Sequence, residues 1–429
     1  MIPLARHFIA SAVTQRRLLV LTLAGAAAIS TGLFFSPERI WPGLLVSVWF
    51  FLGLGLAGVC FLALTSVINA GWSAAIKRVP EAMGATLIAG VPMLLLLAFG
   101  IHTLYEWSHE HVVATDALLL EKSAWLNVTG VVARGVAIVA VWAGFAALLR
   151  RTSRRQDDDH DLRHSHVTMR LSAIFLIVAA VTYSLASFDW IMSLEPHWYS
   201  TIYGLTHIAG MFESGLAAIA LLVILLRRAG AFGTAVTDAH IADLARLLFA
   251  FATFWMYLWF CQYLLVWYAN IPEETTWYLR REQGGWLTTT VLVVVFNWLI
   301  PFVALMSQTT KRNEGLVLRI AIVVLIGRWL DLAWMIFPPS APDGIRLGLW
   351  ELGPWLAAIG LFGLLFLRSF ARAYTLPVGD PMLVESLHHG ADDEADAGSA
   401  ARDVVPDAGA VDDWAATPDG VVRPMRKPS

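Results

Sequence analysis

The chain consists of long apolar runs separated by short polar segments. Each run has at least 18 residues, and about 18 apolar residues let a helix cross roughly 30 Å of hydrocarbon. The runs are continuous and lack the apolar–polar alternation of membrane β-strands. The pattern predicts an all-α integral membrane protein with about ten transmembrane helices, at residues 18–35, 42–68, 83–105, 126–149, 171–193, 202–226, 246–268, 286–307, 316–337 and 347–368.

The composition fits a chain that buries most of its surface in lipid. Hydrophobic residues make up 58% of the chain and charged residues 15%, whereas soluble domains carry about 25% charged residues. We divide the chain into a cytoplasmic N-terminus (residues 1–17), a transmembrane domain (18–376) and an acidic cytoplasmic tail (377–429). Because the tail has few large apolar residues, it is expected to be disordered.

Lys and Arg residues are distributed unevenly between the loops on the two sides. Of those that flank the spans, fifteen fall in one set of loops and five in the other. Since positive charge is retained on the cytoplasmic side, the excess predicts an even number of spans and two cytoplasmic termini. The segment 150–170, basic and then acidic, is interpreted as a solvated loop anchored at the inner surface.

Two ionisable residues interrupt span 9. Arg328 lies about halfway across the membrane and Asp331 follows three residues later, so both side chains lie on one helix face. An ionisable group in the bilayer is costly and is a functional candidate. The pair is either a structural ion pair that fixes helix packing or part of a proton relay.

Span 6 contains a second ionisable group. Glu213 lies roughly 16 Å from the outer end of the span at 1.5 Å per residue. The side chains above it follow helical spacing and predict a polar track from the outer surface to the middle of the membrane. Arg134 in span 4 is one possible ionic partner for Glu213. The track comprises Tyr203, Thr206, His207, Gly210 and Ser214.

Isolated polar residues in other spans more often form hydrogen bonds between helices. Asn297 lies in the middle of span 8, and Asp189 closes span 5 at the outer face. With these included, we take as proton-path candidates Asp189, His207, Glu213, Arg328 and Asp331, with Arg134, Tyr203, Thr206 and Asn297 as possible partners. The chain lacks Walker A, HExxH and CxxCH motifs, so no catalytic residue, metal ligand or nucleic-acid partner is predicted.

Three segments resemble a known family: FDWIMSLEPHWYSTIYG (188–204), CQYLLVWYANIPEETTWYLRR (261–281) and GRWLDLAWMIFP (327–338). They are similar to the ActF-type subunits of alternative complex III, in the NrfD-like (polysulfide-reductase membrane-subunit) superfamily. The likeness covers spans 2 to 10. It implies a multi-pass subunit, in the bacterial inner membrane, of a respiratory quinol:cytochrome c (or high-potential acceptor) oxidoreductase.

The resemblance also carries expectations about architecture and partners. It implies two four-helix bundles with peripheral first and last helices, and no haem or iron–sulfur cluster in this chain. The expected partners are membrane lipid, a paralogous NrfD-like membrane subunit, an iron–sulfur/molybdopterin-like subunit and c-type cytochromes. Menaquinone or ubiquinone is the expected small molecule, bound either here or in the paralogue, and proton conduction is proposed for such subunits.

The residues alone leave two other functions open. One is an autonomous proton-coupled transporter, although such proteins more often show matching broken spans in two halves. The other is a purely structural anchor for redox subunits. Co-purification with haem and iron–sulfur proteins would separate the first of these from the second.

Overall fold

The computed structural model describes residues 6–390, which are helical throughout and contain no β-strand. Ten long helical elements follow one another along the chain. They are α1 (Ala12–Phe35), α2 (Pro37–Val67), α3 (Arg78–Ala98), α4 (Val128–Asp159), α5 (Arg163–Trp190), α6 (Tyr203–Arg228), α7 (Asp238–Ala269), α8 (Trp286–Ala304), α9 (Glu314–Ile336) and α10 (Leu349–Phe370).

Shorter helices occupy the connections. On the side predicted to face outward they are Ile101–Leu104, Glu106–Ser108, Glu110–Thr115, Ala117–Lys122, Met192–Leu194 and Pro272–Glu282. On the other side they are Gly71–Ile76, Gln308–Lys311 and Leu383–His388.

The ten elements coincide with the ten predicted spans and confirm the all-α membrane fold. Within residues 6–390, nine helices are long and apolar enough to cross a bilayer. The tenth, α9, has 23 residues and differs because it carries Arg319, Arg328 and Asp331. Arg319 lies near the inner end of α9 and is exposed, whereas Arg328 and Asp331 are buried against other helices, as charges within a membrane usually are, and they build the site described below.

Eight of the helices form two bundles of four. In the first, α2, α3, α4 and α5 pack in a closed ring, each against the next, and α5 returns to α2. In the second, α6, α7, α8 and α9 form the same kind of ring. The bundles join where α6 packs on α2 and α5 and where α9 packs on α2, so α2 and α6 lie at the centre of the molecule.

The first and last helices form a peripheral pair that packs on α2. In α1 only Gly25, Ala28 and Gly32 are buried, and they recur at helical spacing on one face. Gly25 meets Ala357 and Ala28 meets Gly353 of α10, while Gly32 packs against the larger side chains Ile40 and Trp350. Small residues let two backbones approach closely where no hydrophobic effect drives helix association.

Two helices are locally distorted, and proline explains both distortions. In α8 a π-turn occupies Val295–Leu299; Pro301 lies four residues after Asn297 and cannot donate to the carbonyl of that residue. In α3 a 3-10 turn occupies Ala85–Ala89, and Pro92 lies four residues after Ile88. The π-turn projects Asn297 into the bundle, where its side chain is buried.

The charged segment 150–170 differs from the predicted loop. Helix α4 continues to Asp159 and α5 begins at Arg163, so only a short connection remains. Ser153, Gln156 and Asp157 are buried, because Asp157 pairs with Arg78 of α3 and the chain after α10 covers this end of the first bundle.

The predicted tail begins further along the chain than expected. Residues 377–387, which we call the strap, are ordered and contact the first bundle: the backbone N–H of Gly379 donates to Asp157, and Asp380 pairs with Lys77. Residues 391–429 of the predicted tail lie outside the described residues.

Candidate functional site

The centre of the second bundle holds an intramembrane ion pair. Arg328 and Asp331 form the salt bridge that their i, i+3 spacing predicts, and both side chains are buried. Arg328 lies about 12 Å from the outer end of α9 and about 21 Å from its inner end at 1.5 Å per residue. The pair is therefore deep in the membrane and faces protein rather than lipid.

Residues on one face of helix α6 line one side of the Arg328 guanidinium. Gly210 packs directly against the guanidinium, an approach that a larger side chain would block. One turn before it, His207 faces Arg328 with its Nδ1 3.5 Å from Nη2. Glu213 lies one turn beyond, within the field of both Arg328 and Asp331. His207, Glu213, Arg328 and Asp331, which we call the central cluster, thus meet in one place.

The central cluster has more hydrogen-bonding capacity than the protein fills. Neither carboxylate oxygen of Glu213 has a protein partner, nor does Oδ1 of Asp331 or Nε2 of His207. Each of these residues is at most 1% exposed. Buried polar atoms are almost always hydrogen-bonded, so we expect internal water to complete the cluster. Water beside a buried acid is the arrangement that proton transfer requires.

Tyr203 links the central cluster to the outer end of the bundle. Its ring packs edge-on against His207, with centroids 4.6 Å apart, and its hydroxyl is within electrostatic range of both Arg328 and Arg281. Arg281 is buried and pairs with Glu195 at 2.7 Å. Glu195 in turn contacts the more exposed Arg280 at 2.7 Å. A line of polar groups therefore runs from the outer surface to Glu213.

Sequence reasoning missed Glu195 and Arg281 as part of this line. Arg281 is one of the five charges in the outer set of loops. Its guanidinium also donates to the carbonyl oxygens of Trp334 and Met335 at 3.0 Å. It stacks on Trp277 at 3.5 Å. The signal was available, because Trp277 and Arg281 lie four residues apart on one helix face.

Two aromatic residues of the first bundle complete the walls of the cluster. Trp49 stacks on Tyr183 with ring centroids 4.6 Å apart and meets the His207 ring edge-on at 5.5 Å. Tyr183 is also within electrostatic range of Arg328. Both residues lie inside apolar runs, where periodicity gives no sign that they face charged groups.

The structure places Asp189 away from the central cluster and corrects the proposed partner of Glu213. Arg134 does not reach Glu213; its Nε donates to Asp189 at 2.8 Å. The indole of Trp125 donates to the other oxygen of Asp189, also at 2.8 Å. Arg134 lies near the start of α4 and Asp189 near the end of α5, so their pair closes the outer end of the first bundle.

Two further predicted partners make only local hydrogen bonds. The Thr206 hydroxyl donates to the backbone carbonyl of Ile202 at 3.2 Å. The Asn297 amide donates to the carbonyl of Val293 at 2.8 Å, while its Oδ1 has no partner. Because Asn297 packs against Gly327, the neighbour of Arg328, it borders the cluster.

An apolar groove of about 240 Å³ opens beside Tyr183, between α2, α5, α6 and α7. Its walls include Cys60, Leu176, Met211 and Phe212, and the Tyr183 ring lies at its edge. These residues fit a flat, apolar ring such as that of a quinone. Within the described residues, no group of three or more His, Cys, Asp or Glu side chains is placed to hold a metal ion.

We compared the chain with known proteins. Neither a scan against protein-family models nor a search of curated proteins found a match to the chain. Functional inference therefore depends on the residues and their geometry.

Proposed function

We propose that the chain is an integral membrane subunit of a respiratory quinol:cytochrome c (or high-potential acceptor) oxidoreductase and that its central cluster conducts protons. Two independent observations support this proposal. Segments 188–204, 261–281 and 327–338 resemble such subunits in sequence, and the same three segments supply Glu195, Arg281, Arg328 and Asp331, which build the polar line.

The observation that carries the proton proposal is the state of Glu213. An acid at the middle of a membrane helix, 1% exposed and without a hydrogen-bond partner, contributes little to stability. Burying such a group costs free energy unless it is compensated. The burial of Glu213 is explained if this residue takes up and releases a proton. The positive charge of Arg328 then stabilises the ionised form, and the negative charge of Asp331 stabilises the protonated form.

Within this proposal each residue of the chain has a distinct role. Glu213 holds the transferable proton in the middle of the membrane. His207 and Tyr203 connect it to Glu195 and Arg281 at the outer end, and Arg328 fixes the local positive charge. A quinol would be held in the groove beside Tyr183, and its oxidation to the quinone would release two protons and pass two electrons to the partner redox subunits.

The orientation and location belong to the same proposal. The inner set of loops carries most of the Lys and Arg residues, so we propose a bacterial inner membrane with both termini in the cytoplasm. Reporter fusions after residue 429, active only in the cytoplasm, test this. An inserted fusion that gives no signal, while a reporter active only outside the cytoplasm gives one at the same position, would overturn the orientation and reverse the direction of the polar line.

The assembly is tested by purification in mild detergent. Co-isolation of c-type cytochromes, an iron–sulfur subunit and a second NrfD-like membrane protein supports a respiratory subunit. A protein that purifies alone and moves a solute across vesicle membranes would instead support the autonomous transporter.

Proton conduction is tested with Glu213→Gln in the assembled complex, measuring protons translocated per electron. We expect a loss of at least about a hundredfold, the lower end of what a positioned proton donor or acceptor contributes. The control is Glu351→Gln: Glu351 is also buried and pairs with Arg39 at 2.7 Å, but it lies at the outer start of α10. Normal translocation in Glu213→Gln with normal assembly would show that the cluster is structural.

A further inference from the structure

Hydroxyl groups along α5 divide into two classes. In the outer half of the helix, Thr182, Ser184 and Ser187 donate to backbone carbonyls at 2.6, 2.8 and 2.7 Å. In the inner half, the Ser165 hydroxyl accepts from Gln156 at 2.6 Å, but the hydroxyls of Thr168 and Ser172 have no protein partner, although Thr168 is only 7% exposed and Ser172 is 0% exposed. The hydroxyl of a helical serine or threonine can donate to a backbone carbonyl of the preceding turn. The hydroxyls of Thr168 and Ser172 do not, so they are available to bind water.

A cavity lined by both polar and apolar side chains begins at Thr168. It has a volume of about 90 Å³ and lies at the predicted inner end of the first bundle. A buried water needs roughly 10–15 Å³ of such volume and two to four polar partners, so the cavity is large enough for several. Its lining includes Asn69, Ser73, Lys77, Gln156, Thr168 and Asp380. We call this space the inner vestibule.

The strap covers the inner vestibule. Asp380 closes one side through its salt bridge to Lys77, at 2.6 Å. Burial alone would raise the pKa of Asp380, but the Lys77 ammonium holds that pKa below its ordinary value, so the pair is ionised. Further along, the Ser386 hydroxyl donates to the carbonyl of Trp72 at 2.6 Å and accepts from the backbone N–H of Ala75 at 2.9 Å.

One face of α5 carries Thr168 at the vestibule and then Ser172 and Tyr183 at helical spacing. Ser172 lies one turn deeper than Thr168, and Tyr183 lies eleven residues, or about 16 Å, beyond Ser172. Tyr183 borders the groove and faces Arg328. The central cluster is therefore approached from two sides. Thr168, Ser172 and Tyr183 of the first bundle lie on its inner side, and Tyr203 and Arg281 lie on its outer side.

We propose that the inner vestibule is a water-filled access path from the cytoplasmic side, that it reaches Ser172, and that the strap is its cover. The inference deepens the proton-conducting function proposed above, because it assigns the inner half of the path. Thr168 and Ser172 hold water through their otherwise unpartnered hydroxyls. The Lys77–Asp380 pair holds the cover in place.

Water access is tested directly by thiol labelling of Ser172→Cys in a chain whose two native cysteines are replaced. The sample is the full chain in inside-out membrane vesicles, and the probe is a charged, water-soluble maleimide. We expect labelling from the cytoplasmic side at least about tenfold faster than at Ser47→Cys. Ser47 is 1% exposed and already donates to Gly43 at 2.8 Å, so it serves as a dry buried control.

The cover is tested by Asp380→Asn in the same vesicles. Loss of the ion pair with Lys77 should accelerate labelling of Ser172→Cys about fivefold, the factor that corresponds to one lost hydrogen bond. Equal and negligible labelling at Ser172 and Ser47, with or without Asp380→Asn, would overturn the inference.

The role in proton transfer is tested with Thr168→Val and Ser172→Ala in the assembled complex. Neither change removes a hydrogen bond within the protein, so both variants should fold, and we expect a several-fold fall in protons per electron. If Glu213→Gln abolishes translocation while the Thr168→Val, Ser172→Ala double variant is normal, the access path is wrong and the proposed function stands. If Ser172→Cys is labelled but Glu213→Gln is normal, the vestibule stands and the proposed function is wrong.

Discussion

Arg281 and Arg328 are both buried arginines that pair with a carboxylate, but their surroundings differ in hydrogen bonding. The Arg281 guanidinium donates to the carbonyl oxygens of Trp277, Trp334 and Met335 as well as to Glu195. Around Arg328 the partners are Asp331, the Tyr183 hydroxyl and a long contact to His207. Both carboxylate oxygens of Glu195 are paired at the first site, whereas both oxygens of Glu213 and one of Asp331 lack a protein partner at the second.

The difference indicates what each site does. A buried charge whose neighbours are all satisfied is held rigidly, because any movement breaks several strong hydrogen bonds. A site with spare acceptors must bring in water, and its protons can redistribute with little rearrangement of the protein. Under the proposed function, the Arg281 site fixes the geometry at the outer end and the Arg328 site is where protons move.

The largest expected effect is the loss of the rigid site. Arg281→Ala should destabilise the protein by about 3–5 kcal/mol, since Glu195 and three carbonyl oxygens lose a buried partner. The free energy of unfolding in mild detergent measures this. Arg280→Ala is the matched control: Arg280 pairs with the same carboxylate but is partly exposed, so the loss should stay below about 1 kcal/mol. Equal losses would mean that burial does not distinguish the two arginines.

Glu195 and Glu213 allow the same comparison of the two sites, with a smaller expected change in the free energy of unfolding. Glu195→Gln removes a charge that Arg281 needs and should cost about 1–3 kcal/mol, the range for hydrogen bonds to charged groups. Glu213→Gln removes a charge whose oxygens have no partner, so the free energy of unfolding should be unchanged or slightly higher. The same unfolding experiment measures both. A larger loss for Glu213→Gln would show that the acid is a structural partner after all.

The fold could be predicted from the sequence more completely than the site. Ten continuous apolar runs define ten helices, since in lipid a segment of that length has almost no other way to satisfy its backbone. The i, i+3 spacing within α9 was sufficient to bring Arg328 to Asp331. These predictions depend on contacts within one helix.

What depends on contacts between helices could not be predicted from sequence. Nothing in the sequence shows that Arg134 reaches Asp189 rather than Glu213, because the choice depends on how α4 and α5 pack. The same holds for Tyr183, an aromatic residue in an apolar run that faces a guanidinium on another bundle. The strap escaped prediction because it is continuous with a tail that has few large apolar residues, and its position depends on Asp157 and Lys77 elsewhere in the chain.

Gly210 gives a sharper test of the central cluster at lower energetic cost. Alanine normally stabilises a helix relative to glycine by about 1 kcal/mol, but at Gly210 the added methyl group would overlap the Arg328 guanidinium. We expect Gly210→Ala to cost about 1 kcal/mol net, within the range for overpacking, and to lower protons translocated per electron. The control is Gly144→Ala on α4, where an added methyl group meets no atom within 4 Å and should be neutral or stabilising. A Gly210→Ala variant that is as stable as Gly144→Ala and fully coupled would show that Arg328 can move away without consequence.

The Asp189 pair provides an intermediate case between the rigid and the under-bonded sites. Asp189 accepts one hydrogen bond from Arg134 and one from the Trp125 indole, so it resembles Glu195 rather than Glu213. Trp125→Phe removes one of the two and should cost about 1 kcal/mol, with proton translocation unchanged because the pair lies outside the central cluster. Trp267→Phe is the control, since Trp267 is 64% exposed and should tolerate the change. A Trp125→Phe variant with normal stability but impaired translocation would assign Asp189 to the proton path, and the division between rigid and conducting carboxylates would then have to be redrawn.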